Sequence, residues 1–255
     1  MRASFIGFSA LALAAAATPA LAQDAPASDF TLTGSAALVS DYRFRGISQS
    51  GAGFKPTPQA SATLTHSSGF YASFWSSAID DYVASGADAE LDLIGGYSTT
   101  VGAVTLDGGL LYYVYPSAAK GVNTDFLEIY GSAKGTVGPV TVKGGFAYDP
   151  KQKGLASGIN AKNDNLYVYG ELSGTVPDTG FGVAAHIGYS AGRSFLTANL
   201  KNYWDGNIGV TYTWKNATFG VSYVDTDAPK GAFANPASGK DMAKSGVVAS
   251  VTYAF

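Results

Sequence analysis

Apolar and polar residues alternate with a period of two along most of this sequence. In the segment 140–149, Val140, Val142 and Phe146 fall on one side, while Thr141 and Lys143 fall on the other. Such alternation is typical of a β-strand with one apolar and one polar face. After residue 28 no apolar run approaches the ~20 residues that a membrane-spanning helix needs. The sequence therefore predicts a chain built from amphipathic strands.

The connections between the predicted strands alternate in length. Short ones are expected around 67–69, 99–102, 135–139, 174–180 and 215–216, and long ones around 41–57, 80–87, 116–123, 149–163, 190–202 and 225–245. This organisation is typical of an outer-membrane barrel with tight periplasmic turns and longer extracellular loops. We predict an all-β fold, a transmembrane antiparallel β-barrel of about twelve strands, with ten or fourteen as alternatives.

Aromatic residues mark both ends of the apolar strand faces. The residues predicted near the short turns are Phe30, Phe70, Tyr97, Phe181, Tyr212, Trp214, Tyr253 and Phe255, and those near the long loops are Tyr112, Tyr148, Tyr189, Trp204 and Tyr223. Two aromatic girdles around an aliphatic band match the outer surface of a membrane barrel. Closure is expected because unpaired backbone groups at an open edge are costly in hydrocarbon.

The composition excludes several classes of protein. There is no cysteine, so a disulfide framework and a thiolate metal site are excluded, and the net charge of −3 offers no basic surface to nucleic acid. Paired glycines occur at 95–96, 108–109 and 144–145 without a phosphate-loop motif. We expect these glycines to permit barrel curvature and close packing beside inward aromatic rings.

The first residues have the pattern of an export signal. Met1-Arg2 is followed by an apolar stretch and by Ala20-Leu21-Ala22, which places small residues before a cleavage site. We predict a signal peptide over 1–22, a short tether over 23–28 and an outer-membrane barrel over 29–255. The predicted location is the outer membrane of a Gram-negative bacterium.

A family resemblance rests on the segment 40–49, with the sequence SDYRFRGISQ, and on the following segments 68–72 and 75–77. These residues resemble the opening signature of the TorF family of proteobacterial porins, a Gcw_chp-type group of outer-membrane proteins. The ending Tyr253-Ala254-Phe255 is similar to the aromatic end that many such proteins present to the barrel assembly machinery. The resemblance implies a porin fold in contact with lipid and lipopolysaccharide, and it leaves the solute open.

Residue parity predicts which charged side chains face the lumen. The predicted pore-lining and constriction residues are Arg43, Arg45, Glu90, Asp92, Asp107, Glu128, Lys143, Glu171 and His186. We expect Arg43 and Arg45 to point inward where the first strand enters its loop, facing Glu90, Asp92 and Glu128 across a narrow, hydrated lumen. Opposed charges of this kind would let small hydrophilic solutes or ions diffuse with selection by charge and size, with a mild cation preference.

Other functions remain open at this point. The same charges could form salt bridges that plug the barrel, leaving a non-conducting structural or adhesive protein, and a soluble β-sandwich would also use alternating strands. An enzyme is not expected, because His66 and His186 are the only histidines and no nucleophile elbow occurs. No cofactor or metal motif is present, and the oligomeric state is undetermined.

Overall fold

The structure is a computed structural model, and it describes residues 28–158 and 161–255. The predicted signal peptide and nearly all of the predicted tether lie outside the described residues. In the described ranges, no helix has the length and apolar character needed to cross a bilayer.

Twelve long strands form one closed antiparallel barrel, and two short strands form a separate hairpin. The strands are β1 (Phe30–Val39), β2 (Arg43–Phe44), β3 (Ile47–Ser48), β4 (Thr57–His66), β5 (Phe70–Ala78), β6 (Ala89–Val101), β7 (Val104–Val114), β8 (Phe126–Val137), β9 (Val140–Gln152), β10 (Asn163–Thr175), β11 (Phe181–Ala191), β12 (Asn202–Trp214), β13 (Ala217–Thr226) and β14 (Gly246–Ala254). One-turn 3₁₀ helices occupy Lys153–Leu155 and Phe195–Thr197. The predicted fold class and the count of twelve strands are confirmed.

The barrel closes between the first and last strands. Leu38 of β1 lies opposite Val251 of β14, and the other edge of β1 pairs with β4. Beyond β14, the backbone of Phe255 exchanges two hydrogen bonds with Gly34, at 2.9 and 3.0 Å, and its ring packs on that glycine. Closure gives each of the twelve barrel strands a partner on both sides, as an apolar surrounding requires. We call the end with the six long connections the loop end, and the opposite end the turn end.

The apolar faces of the strands point outward. Ile208, at the middle of β12, is 64% exposed, whereas the lumen-facing Thr211 on the same strand is buried. Aromatic pairs lie outside at both ends, with Phe181 and Tyr212 5.0 Å apart near the turn end, and Tyr189 and Trp204 4.7 Å apart near the loop end. The predicted outward face with its two aromatic rows is therefore confirmed.

Within a glycine pair, one residue faces the lumen and the other faces outward. A Cβ on Gly96 would collide with the Tyr71 and Tyr130 hydroxyls, whereas a Cβ on the neighbouring Gly95 would meet nothing within 4 Å. Gly145 is likewise covered by the ring of Tyr169. The inward glycines make room for tyrosine rings that lie against the wall over neighbouring strands, which confirms the predicted packing.

This contrast gives a first test. Gly96→Ala should destabilise the barrel by about 1–3 kcal/mol, because the added methyl displaces two tyrosines in a packed wall. Gly95→Ala is the matched control, one residue away on the outer face, and should change stability by less than about 0.5 kcal/mol. Urea unfolding in detergent micelles measures both. Equal effects of the two substitutions would contradict the assignment of the faces.

The connection between β1 and β4 folds into the barrel. Its residues Ser48 and Ser50 are almost completely buried, and β2 and β3 form a small hairpin inside the loop end. We call residues 40–50 the inner hairpin. Sequence parity treats Arg43 and Arg45 as a continuation of the first strand, but β1 ends at Val39. The two arginines point into the lumen because the whole segment turns inward.

Candidate functional site

The inner hairpin is held together by one carboxylate. Asp41 accepts hydrogen bonds from Arg43 Nε at 2.7 Å, from Ser48 Oγ at 2.6 Å and from Ser50 Oγ at 3.0 Å. Arg45 and Gly46 form the tip with φ angles of 47° and 80°. A side chain at Gly46 would collide with Asp205 and Thr226 on the wall, so glycine lets the tip touch the opposite strands.

Contacts to several elements anchor the hairpin at the loop end. The Arg43 guanidinium donates to the carbonyl oxygens of Met242 at 3.3 Å and Lys244 at 2.9 Å, in the loop before β14. Tyr203 Oη on β12 donates to the Arg45 carbonyl at 3.1 Å. Ile47 packs with Tyr203 and Met242 in a small apolar cluster. The hairpin is thus a structured obstruction of the lumen.

The Arg45 side chain lies in a polar pocket on the barrel wall. Its Nη2 donates to Glu128 Oε2 at 2.5 Å, and its Nη1 donates to Asn165 Oδ1 at 2.8 Å and lies 3.6 Å from Asp149 Oδ2. The guanidinium carbon lies 4.6 Å from the centroid of the Tyr167 ring. We call Glu128, Asp149, Asn165 and Tyr167 the Arg45 cage. Every member of the cage is buried.

Two further carboxylates extend the acidic surface beside the cage. Glu90 accepts from Tyr42 Oη at 2.7 Å and from Tyr115 Oη at 3.1 Å. Asp92 is 1% exposed, and its Oδ1 has no hydrogen-bond partner in the described parts of the chain. Counting the cage, four acidic side chains therefore lie at this height of the lumen, and Arg45 is the guanidinium that contacts two of them.

A second charged group lies nearer the turn end. His186 lies between Glu171 and Asp205, with 3.5 Å from Nδ1 and from Nε2 to the nearest carboxylate oxygen of each. Lys143 Nζ lies 3.5 Å from Glu171. Tyr167 Oη lies 2.7 Å from His186 Nε2 and also bonds Asp205, so this group fixes the ring that covers Arg45.

The lumen near the turn end also carries small hydroxyl side chains. Thr63 and Ser73 are hydrogen-bonded at 2.7 Å, and Ser35 and Ser61 at 2.9 Å. Asp107 accepts from Tyr71 Oη at 3.1 Å. The serines, the threonine and Asp107 are only partly buried, unlike Tyr71 and the wall around the hairpin. The lumen is therefore filled at the loop end and more open towards the turn end.

Residues 51–56, the outer part of the connection between β1 and β4, are tied to the loop between β5 and β6. Lys55 Nζ lies 2.7 Å from Asp80 Oδ2. Burial raises the pKa of Asp80, but its hydrogen bonds with Lys55 and Asp81 and the charge of Lys55 together outweigh burial and lower the pKa. The pair lies on the exposed loop surface, where an ion pair contributes little stability.

Eight of the nine predicted site residues divide into three groups. Arg45 contacts Glu128, with Glu90 and Asp92 on the wall beside them. Lys143, Glu171 and His186 form the group nearer the turn end, and Asp107 lies apart from both. The expectation that Arg43 faces Glu90, Asp92 and Glu128 is wrong, because Asp41 on the same hairpin binds it and turns it towards Met242. The Arg45 side chain is packed against the wall and is 2% exposed.

Four important residues lie outside the predicted set: Tyr42, Asp149, Asn165 and Asp205. Asp149 falls at the start of the predicted loop 149–163 and Asn165 just after its end, whereas β9 continues to Gln152 and β10 begins at Asn163. Asp149 shares the parity of Lys143, and Asn165 that of Tyr167, so continued alternation was the available signal. Nothing in the sequence pairs Tyr42 with Glu90, because their contact depends on the inward turn of the loop.

The exposed apolar exterior, the closed ladder and the polar interior together define a transmembrane β-barrel. The family model for Gcw_chp, described as a bacterial protein of unknown function, matches residues 23–255. The chain belongs to this family.

Solved structures share the architecture. A structure of the NanC porin superposes with a TM-score of 0.59 at 10% sequence identity, covering 88% of this chain and 99% of that one. The KdgM porin superposes with a TM-score of 0.56 at 10% identity, with the same coverage of both chains. At this identity the likeness concerns the fold alone. A comparison with curated protein sequences found no match.

Proposed function

We propose that this protein is an outer-membrane channel through which small hydrophilic solutes or ions diffuse passively, and that the inner hairpin forms its constriction. The observation that carries the proposal is the position of the hairpin. It fills the loop end of the lumen, where its Phe44 packs against an apolar cluster that includes Ile94, Leu111 and Phe126, and the mostly polar wall nearer the turn end is only partly buried. A barrel of twelve strands lies between those that side chains fill and those that leave a wide water channel.

The charges at the constriction favour cations. Glu90, Asp92, Glu128 and Asp149 lie on the wall there, and Arg45 is the guanidinium among them. Arg43 is neutralised by Asp41, with 2.7 Å between Nη2 and Oδ2. Rings of acidic side chains are a common basis of cation selectivity. A reversal potential that favours anions in a salt gradient would contradict this preference.

The placement in the outer membrane also belongs to the proposal. The predicted signal peptide over 1–22 would direct export, and the family match begins at residue 23. The barrel assembly machinery would recognise Phe255, and lipid and lipopolysaccharide would cover the outer face. Residues 40–49 support membership of the TorF group within the family.

The buried ion pair favours a second candidate function. A hairpin with this many hydrogen bonds could plug the barrel permanently, which would leave a structural or adhesive protein whose loops bind a partner. The lumen residues would then serve stability alone. Electrical recording separates the two functions.

Shortening the inner hairpin should increase conductance. Gln49 N donates to the Tyr42 carbonyl at 2.7 Å, so these residues already lie side by side. Replacing residues 43–48 with Asn-Gly can therefore close the loop as a tight turn. Single-channel recording in planar bilayers should show a low wild-type conductance and an increase of about threefold or more in the shortened variant.

The matched control shortens a loop outside the lumen. Asn235 N donates to the Lys240 carbonyl at 2.8 Å, and residues 236–239 are exposed. Replacing these four residues with Asn-Gly should leave the conductance unchanged. Absence of current from both the wild type and the shortened hairpin variant would overturn the channel and favour the plug.

A further inference from the structure

The Arg45 cage has the composition of a ligand site. Three neighbouring wall strands supply it, with Glu128 from β8, Asp149 from β9, and Asn165 and Tyr167 from β10. The group that fills it comes from a different part of the chain, the tip of the inner hairpin. The cage and its occupant are therefore separate structural units.

The cage contacts are those of guanidinium recognition. A guanidinium is planar, donates in its own plane and stacks on aromatic faces. Glu128 and Asn165 accept from two different nitrogens of Arg45, and Tyr167 lies against its face. A compact ammonium could not make both the in-plane and the stacked contacts.

Bonds within the wall hold two of the four cage residues, Asn165 and Tyr167, in place without the hairpin. Asn165 Nδ2 donates to Ser194 Oγ at 3.2 Å, and Ser190 Oγ donates to Asn165 Oδ1 at 3.3 Å. Tyr167 is fixed by Asp205 and His186, and Gly188 leaves the space that its ring occupies. Neither the amide nor the ring needs Arg45 for its orientation.

The cage also has more acceptor capacity than Arg45 uses. Asp149 is completely buried, and neither of its carboxylate oxygens has a hydrogen-bond partner within residues 28–158 and 161–255. Its contact with Arg45 is a charge contact at 3.6 Å. Buried carboxylate oxygens without donors are costly, so this side chain points to a ligand that brings more donors than the tethered guanidinium.

We propose that the Arg45 cage is a binding site for small solutes that carry a guanidinium or amidinium group, and that Arg45 occupies it as a tethered ligand. Displacement of the hairpin frees the site for such a solute from the loop end. As a statement about transport, this inference rests on the proposed function. The binding site itself can be tested without any current.

Guanidinium ion is the probe, and the variant Arg45→Ala supplies an empty cage. In detergent micelles, guanidinium chloride titrated up to about 50 mM should raise the Tm of Arg45→Ala saturably, by about 2–4 °C, the shift expected for a ligand at a few times its Kd. Sodium chloride controls for ionic strength. Urea controls for shape, because it is planar and of similar size but carries no charge.

Two further variants locate the site. Arg45→Ala combined with Glu128→Gln lacks a cage carboxylate and should lose the saturable response. Arg43→Ala loosens the same hairpin without emptying the cage, so guanidinium should not raise its Tm. If Arg45→Ala does not refold alone, the folded fraction with guanidinium, read from heat-modifiable gel mobility, replaces Tm as the readout.

The outcomes separate this inference from the channel. Equal responses to guanidinium and sodium chloride, or no response in Arg45→Ala, would overturn the site even if the protein conducts. A specific response in a protein that carries no current would establish the site and remove the channel instead.

Discussion

Replacing Arg45 with alanine should cause the largest loss of stability of any single charge removal in the lumen, about 3–5 kcal/mol. The side chain is 2% exposed and contacts two buried carboxylates. Its removal leaves Glu128 and Asp149 in a packed wall without a counter-charge. The cost of stranding a buried charge exceeds the net contribution of the pair itself. Urea unfolding in micelles at neutral pH measures the loss.

A substitution that removes a charge at similar volume separates the electrostatic part of the stability loss from the packing part. Glu128→Gln should cost less than Arg45→Ala, because Asp149 still accompanies the guanidinium at 3.6 Å. Lowering the pH should reduce the difference in free energy of unfolding between the wild type and Arg45→Ala. The reason is that protonation neutralises the carboxylates that the variant leaves without a counter-charge.

Arg193→Ala is the matched control, on an exposed loop where the guanidinium donates to the Asn199 carbonyl at 2.9 Å. It should change the free energy of unfolding by less than about 0.5 kcal/mol. If Arg45→Ala were equally mild, the buried ion pair would not be holding the loop end.

An arginine at Ile208 should destabilise the membrane-inserted barrel by about 2–4 kcal/mol. Ile208 lies on β12 midway between the outward aromatics Trp204 and Tyr212, with its side chain on the outer face. At that depth the guanidinium would lie in hydrocarbon, where a charge is most costly. The folded fraction in lipid vesicles across a urea titration measures the effect.

The matched control places the same charge at the same height inside the barrel. Ser173 pairs with Ala184, which in turn pairs with Gly209 beside Ile208. It faces the lumen two residues from Glu171, so Ser173→Arg should be tolerated. A severe effect of Ser173→Arg together with a harmless Ile208→Arg would mean that the apolar face lies inside.

Much of the barrel could be predicted because the residue pattern of each strand shows which of its two faces is apolar. The alternation of Val140 and Val142 with Thr141 and Lys143 can be interpreted from the two-residue repeat of an extended chain. That repeat depends on neighbouring residues alone. The paired glycines were equally readable, since Gly95 and Gly96 must face opposite sides and only one can face inward tyrosines. The end of β9 was predicted less well, because this strand continues to Gln152, beyond the polar residues that first suggest a loop.

The candidate site could be predicted only in part, and Arg43 shows why. Its inward position agreed with strand parity, but its partner is Asp41, two residues away in a hairpin that parity does not describe. Glu90 likewise bonds Tyr42, which the sequence places on a different element with no shared pattern. Contacts made by a loop that folds back depend on where the other loops and strands leave room.

The sequence by itself determined that this chain forms strands with an apolar and a polar face, because alternation is a property of each strand, and its two aromatic rows favoured a barrel with the polar side inward. Only the tertiary structure decided that residues 40–50 enter the lumen and that Arg45 meets Glu128, Asp149 and Asn165. Those contacts join residues from distant parts of the chain, and they form because a polar segment buried inside the barrel must find partners for its charges and backbone groups there.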